Sequence, residues 1–130
     1  MEKYGNLAAR VLIAVLFLPA GINKIMGYEG NQAYMEAMGV PGVLLPLVII
    51  LEIGGGLALI LGWQIRYIAL SLAGFTVVAA LIFHSNFSDQ MQMIMFMKNI
   101  AIAGGLLALS AQDIRQTISI DHWRLAAQPR

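Results

Sequence analysis

Apolar residues run almost unbroken through residues 7–25, 43–61, 67–83 and 93–109, and polar residues collect between these runs. At roughly 1.5 Å rise per residue, about 20 residues in a helix cross the hydrocarbon core of a bilayer. A soluble bundle of the same helices would need a charged outer stripe on each one. Residues 67–83 offer only Ser71 and Thr76 for that purpose. The pattern therefore predicts an all-α integral membrane four-helix bundle. The longest connection, residues 27–42, has a helical pattern of its own, with Asn31 placed to cap a short helix and Tyr34, Met35 and Met38 on one apolar face. Gly39 stands as its C-terminal stop and Pro41 lies just beyond. This predicts a short helix between the first two spans, lying at the outer interface or folded over the bundle mouth, within one four-span domain over residues 1–110.

Beyond Leu109 the composition turns polar, and residues 111–130 are expected to form a cytoplasmic tail. Within it, residues 113–125 are predicted as one amphipathic helix, with Ile114, Ile118 and Leu125 on one side and Trp123 as an interfacial anchor.

Composition supports the membrane assignment. Of the 130 residues, 59% are hydrophobic and 12% charged, against about a quarter charged in an ordinary soluble domain. The absence of cysteine excludes disulfides, thiolate metal sites and dithiol redox chemistry. Lys3 and Arg10 precede the first apolar run as in a secretory signal, but no A-x-A-like site follows and the run continues to Ile25 and Met26, so cleavage is not expected. The net charge of +1 gives no reason to expect a nucleic-acid partner. Its distribution is more informative. An even number of spans puts Lys3, Arg10, Arg66, Arg115, Arg124 and Arg130 on one side, opposite Lys24, Glu29, Glu36 and Asp89. The positive-inside rule then predicts that both termini are cytoplasmic.

Glu52 stands at the centre of the second run, where a lone carboxylate costs several kcal/mol unless hydrated or paired. Gly55 and Gly56 share its face and permit a close neighbouring helix. In the first run Arg10, Ala14, Phe17, Gly21 and Lys24 form a single helical stripe. Pro19 is expected to bend the outer half of that helix. Ala73, Val77, Ala80 and His84 form a stripe on the third run, with His84 at its outer end. On the fourth, Lys98 heads a small-residue stripe with Ala101, Gly105 and Ala108 and lies about 3 Å from the depth of Glu52. A Glu52–Lys98 ion pair is therefore predicted, with neighbouring Asn99 bonding another helix.

Stacked by depth, the inward charges are expected to run from Lys24 and His84, through Glu52 and Lys98, to Arg10 and Arg66. Such a column can carry protons, bind an anionic group or hold the polar head of a quinone. The competing structural explanation is that the pair only fixes helix register. His84 and His122 fall on opposite sides of the membrane, which excludes a bis-histidine haem. Gly54, Gly55 and Gly56 lack the Lys and Ser or Thr of a phosphate loop. Met91, Met93, Met95 and Met97 cannot share one helix face and read as gap-fillers, so no metal site is expected. No intrinsic redox centre is present, and electron transfer would need a bound cofactor or a partner.

The order Arg10, LFLPAGINKI ending at Ile25, MGVPG, LEIGGGLALILGW, Arg66 and FHSNF resembles the DoxX family of small bacterial membrane proteins. The YMEAMGVPG and HSNF segments are similar to those of inner membrane members, and the resemblance extends to about Leu109. It implies a four-helix bundle in the cytoplasmic membrane and an association with quinone-linked oxidation or with redox enzymes of oxidative-stress complexes. The expected function is thus a quinone-interacting or redox-associated accessory subunit, with Glu52, Lys98, His84, Lys24 and Arg10 as candidate site residues and a bound quinone or redox enzyme as partner. Two rivals stand beside it. One is a small proton-coupled transporter, which would need a homo-oligomer because four short helices enclose little pore. The other is a non-catalytic membrane scaffold acting through its tail.

Overall fold

The computed structural model describes residues 1–129 and is entirely helical. Helix α1 (Glu2–Met26) is followed by the short α2 (Tyr28–Ala37), a 3₁₀ turn at Gly42–Leu44, α3 (Leu45–Leu61), α4 (Ile65–Phe83) and α5 (Gln90–Ala111). A second 3₁₀ turn (Ile114–Gln116) then leads into α6 (Ile120–Ala126). Four segments are long and apolar enough to cross a membrane: α1, Gly42–Leu61, α4 and α5. Their outward residues, including Leu12, Leu47, Ile50, Leu81 and Leu107, are apolar and exposed, as a lipid-facing surface requires.

The four long helices form a ring in which α1 packs on α3 and α5, and α4 packs on α3 and α5. Helices α3 and α5 consequently occupy opposite corners. The start of α1 lies with the end of α5 and the tail on one side of the bundle, called here the terminal side. Its half of the interior is filled by Leu59, Leu72, Leu106 and Leu109 with Phe17 above them. The buried stripe of α1 is Asn6, Arg10, Ala14, Phe17 and Gly21, which follows the predicted spacing and extends it one turn earlier. The helix continues through Pro19 without interruption.

Helix α2 lies at the far side, between the first two spans, as the pattern required. It begins at Tyr28, and Asn31 sits inside it rather than capping it, with its side-chain amide donating to the Gly27 carbonyl at 2.8 Å. Met35 turns into the bundle and Tyr34 stacks on Phe83 at 5.3 Å between ring centroids. Gly39, at φ +81°, ends the helical stretch in the left-handed conformation that glycine adopts without strain.

The tail departs from expectation. Residues 113–125 do not make one amphipathic helix: the 3₁₀ turn and α6 are separated by extended residues in which Thr117 and Ser119 are buried and bonded to each other at 2.6 Å. Hydroxyl side chains compete with helical hydrogen bonding, and here Ser119 accepts from the His122 N–H at 3.0 Å to cap α6. The break brings Asp121 against the start of α4. Its carboxylate accepts from the backbone N–H groups of Gln64 and Ile65, each at 2.8 Å, while its own N–H donates to the Gly62 carbonyl. These bonds satisfy donors that a helix start leaves without partners, and they hold Gln64 at φ 51°. Asp121→Ala is expected to cost about 1–2 kcal/mol, the usual range for a lost cap. Proteolysis would then cut the tail sooner than in the parent chain, and an unchanged cutting rate would argue against docking.

Candidate functional site

The antiparallel helices α1 and α3 meet through glycine. A Cβ on Gly56 would stand 2.9 Å from Leu18 Cγ, and one on Gly55 would stand 3.1 Å from the Leu72 side chain of α4, so α3 lies close to both neighbours. Helical side chains lean towards their own N-terminus. On antiparallel helices, Lys24 therefore leans towards the terminal side and Glu52 towards the far side, and the two converge. Lys24 Nζ lies 2.9 Å from Glu52 Oε1 and 3.3 Å from Oε2. The Glu52 side chain is only 3% exposed and that of Lys24 27%, so the carboxylate is enclosed while the ammonium keeps one side open.

This corrects the predicted Glu52–Lys98 pair. Lys98 is exposed on the outside of α5, the helix diagonal to α3. Of the small-residue stripe below it, Ala101 and Ala108 are exposed while Gly105 approaches Ile13 of α1, and the buried face of α5 is Ala103, Leu106 and Leu109. Depth along the two spans was similar, but the spans are not neighbours.

The Lys24–Glu52 pair lines a cavity of about 450 Å³ in the far half of the bundle. His84, the residue that ends α4, lines the same cavity, as do Thr76 of α4 and Asn99 of α5. Asn99 donates to the Thr76 carbonyl at 3.4 Å, the interhelical bond anticipated for it. The walls are otherwise apolar and aromatic, with Phe17, Phe75 and Phe83 from the spans and Tyr34 and Met35 from α2. Among the candidate residues, Lys24, Glu52 and His84 are thus brought together, whereas Lys98 and Arg10 do not line the cavity. Tyr34 and Met35 come from the apolar face anticipated for the short helix, whereas Thr76 went unrecognised as a lining residue, because nothing in its spacing shows which helices face each other across a void.

Arg10 instead builds a second polar cluster near the terminal side. The residue is fully buried, and its Nε donates to Asn6 Oδ1 at 2.8 Å. Nη1 donates to the Leu59 carbonyl at 2.9 Å and the Ile60 carbonyl at 3.3 Å, and Nη2 donates to the Ile118 carbonyl. One guanidinium therefore ties α1, the end of α3 and the tail together. Gly62, at φ +72°, makes room for this, since any side chain there would meet Arg10 and Ser119. Arg66 is exposed, so the expected continuous column of charge is two separate clusters.

Among the described residues, no three His, Asp or Glu side chains gather as a metal site would require. The cavity offers one anion, one cation and one imidazole among aromatic rings. Chemically this suits a compact, largely apolar group with hydrogen-bonding oxygens.

Residues 5–85 match the model of the DoxX family. The chain belongs to the DoxX family. The matched segment contains Lys24, Glu52 and His84 and ends before α5. This DoxX chain is 56% identical over 110 residues to inner membrane protein YqjF of Escherichia coli (strain K12), with 85% of each chain covered. It is 32% identical over 111 residues to inner membrane protein YphA of the same organism, covering 80% of this chain and 79% of that one. A third relative, at 27% identity over 80 residues, covers 62% of this chain and 59% of its own and carries the name "Putative oxidoreductase CatD" in Bacillus subtilis (strain 168). No solved structure matches. With four spans and these relatives, the DoxX chain is a multi-pass inner membrane protein.

Proposed function

We propose that the chain is a quinone-binding accessory subunit of a membrane oxidoreductase, with both termini in the cytoplasm. One observation carries the proposal: a buried carboxylate–ammonium pair opens into an aromatic cavity of about 450 Å³. That volume lies within the roughly 300–1,000 Å³ of small-molecule sites, and aromatic and aliphatic walls with a cluster of polar groups suit a quinone ring. The name of the Bacillus subtilis relative points to the same class of chemistry. When bound, a quinone supplies a carrier of two electrons and two protons.

The chain's own groups divide the remaining work. The Lys24 ammonium has three donors and spends them on Glu52 at one side only, leaving capacity for a ligand oxygen. Glu52 accepts from Lys24 and so fixes the ammonium that donates to a quinone carbonyl, and it can take the proton of a quinol hydroxyl when the ligand is reduced. His84, at the end of α4, stands where a proton would pass between the cavity and water at the far side. The electrons must come from, or go to, a redox enzyme partner. A solute pathway through one bundle is less well supported, because the terminal half of the interior is filled by Leu59, Leu72 and Leu106 and crossed by Arg10.

The test is the quinone content of protein purified in mild detergent, extracted and quantified per mole of chain. The parent chain is expected to retain quinone and Glu52→Gln to retain at least about tenfold less, roughly 1.4 kcal/mol, because the Lys24 ammonium that donates to the ligand loses the carboxylate that holds it in place. Equal content in the two proteins would contradict the proposal.

A further inference from the structure

We infer that the cavity is reached from the lipid phase, through a slit between the far halves of α1 and α5, and that its ligand is an amphiphile whose apolar tail lies in that slit. The inference rests on the quinone reading for the head group, and adds the tail and the way in. Helices α1 and α5 meet near the terminal side, where a Cβ on Gly105 would stand 3.6 Å from Ile13 and where Asn6 bonds Gln112. Towards the far side their residues line the cavity from both edges: Leu16 and Ala20 on α1, Met95 and Asn99 on α5.

Among the cavity-lining residues on the four spans, Leu16 and Met95 are the two exposed ones, at 42% and 40%. A residue that both lines a cavity and faces outward marks an opening. Both lie within membrane spans, so the opening faces acyl chains rather than water. Counting from the Ile13–Gly105 contact, Ala20 comes level with Lys98, and Leu16 and Met95 are separated by about 10 Å along the helix axes. That height admits an extended hydrocarbon chain.

The other sides are less open. Gly21 and Gly56 draw α1 against α3, and the Asn99–Thr76 bond joins α5 to α4. On the water side α2 lies across the mouth with Met35 buried, and Tyr34, stacked on Phe83 but 50% exposed, marks a second opening towards water, through which a head group without a tail could also pass. A head group entering from the bilayer would pass Leu16 and Met95 and reach Lys24 and Glu52 while its tail stayed in lipid. No desolvation of the tail is then needed, since it exchanges one apolar medium for another.

The experiment fills the slit in the full chain with Leu16→Trp and Met95→Trp together, and uses Leu12→Trp, at a position that is 71% exposed and outside the cavity lining, as the control for bulk. Binding to protein in lipid nanodiscs is titrated with a tail-less benzoquinone and with the same ring carrying an isoprenoid tail. Parent and control are expected to bind both. The slit-filled protein should lose at least about tenfold more affinity for the tailed quinone than for the tail-less ring. Unchanged binding of the tailed quinone would overturn the slit and leave the head-group site standing. Equal loss of both would mean that the cavity was filled, and would overturn it too. Binding of neither by the parent would sink the quinone reading and this inference with it. A second measurement does not depend on how bulky variants fold. The chain has no cysteine, so Leu16→Cys is a unique label, and tailed but not tail-less quinone is expected to slow its reaction with a lipid-soluble maleimide. Equal rates would overturn the slit.

Discussion

Arg10→Leu is expected to destabilise the bundle by on the order of 4 kcal/mol. The guanidinium is fully buried and serves four acceptors, Asn6 Oδ1 and the carbonyls of Leu59, Ile60 and Ile118. The Leu59 carbonyl keeps the Gly62 N–H at 3.2 Å, so the loss falls mainly on the other acceptors, at about 1–3 kcal/mol for each buried one left unpaired. Arg10→Lys should recover only part of the loss, because a single ammonium cannot span a fork that reaches α1, α3 and the tail at once. Unfolding in mixed micelles titrated with a denaturing detergent would measure both. The bond to Ile118 gives an independent readout: in Arg10→Leu the tail loses one of its anchors, so protease sites beyond Ala111 should become accessible before the bundle unfolds. A variant within about 0.5 kcal/mol of the parent, with its tail still protected, would show that the cluster is ornamental.

Lys24→Met is expected to cost about 3 kcal/mol. Removing one partner of a buried ion pair leaves the other charge uncompensated, at roughly 3–5 kcal/mol. The low end applies because the Lys24 side chain retains 27% exposure, and its site already receives some solvation. Replacing both partners, Lys24→Met with Glu52→Gln, should recover most of that stability, since no charge is left stranded. Both proteins should nevertheless fail to retain quinone. Stability and ligand binding therefore separate in the double variant, which a pair serving only to fix helix register would not require.

Much of this arrangement was legible along the chain, and the part that was not has a definite cause. The stripe from Arg10 to Lys24 was readable because a membrane helix with two internal cations has only one face on which to hide them. Gly55 and Gly56 marked α3 as closely packed, and His84 was readable as the end of α4 from the stripe above it. Spacing along a helix yields face and depth, but it carries no information on which helices are neighbours. Lys98 matches Glu52 in depth, yet α3 and α5 stand at opposite corners of the ring. The opposed lean of side chains on antiparallel helices, which brings Lys24 inward and Glu52 outward, was the missing physical step. Small residues misled on α5 in the same way: Ala101 and Ala108 suggested a packing face and instead face outward. In the tail, Ile114, Ile118 and Leu125 suggested a helical period, while Thr117 and Ser119 carried the contrary signal, because hydroxyl groups beside an exposed helix start readily take over its hydrogen bonding.

The assignment of Glu52 to Lys24 is the point on which the cavity, the proposed ligand and the slit all depend. A double-mutant cycle isolates it: Glu52→Gln, Lys24→Met and the pair together, with Lys98→Met run through the same cycle, all measured as unfolding free energies in mixed micelles. The structure predicts a coupling of about 1.5 kcal/mol or more between Glu52 and Lys24 and none beyond about 0.3–0.5 kcal/mol between Glu52 and Lys98. Additive losses at Lys24, or coupling that appears at Lys98 instead, would contradict it.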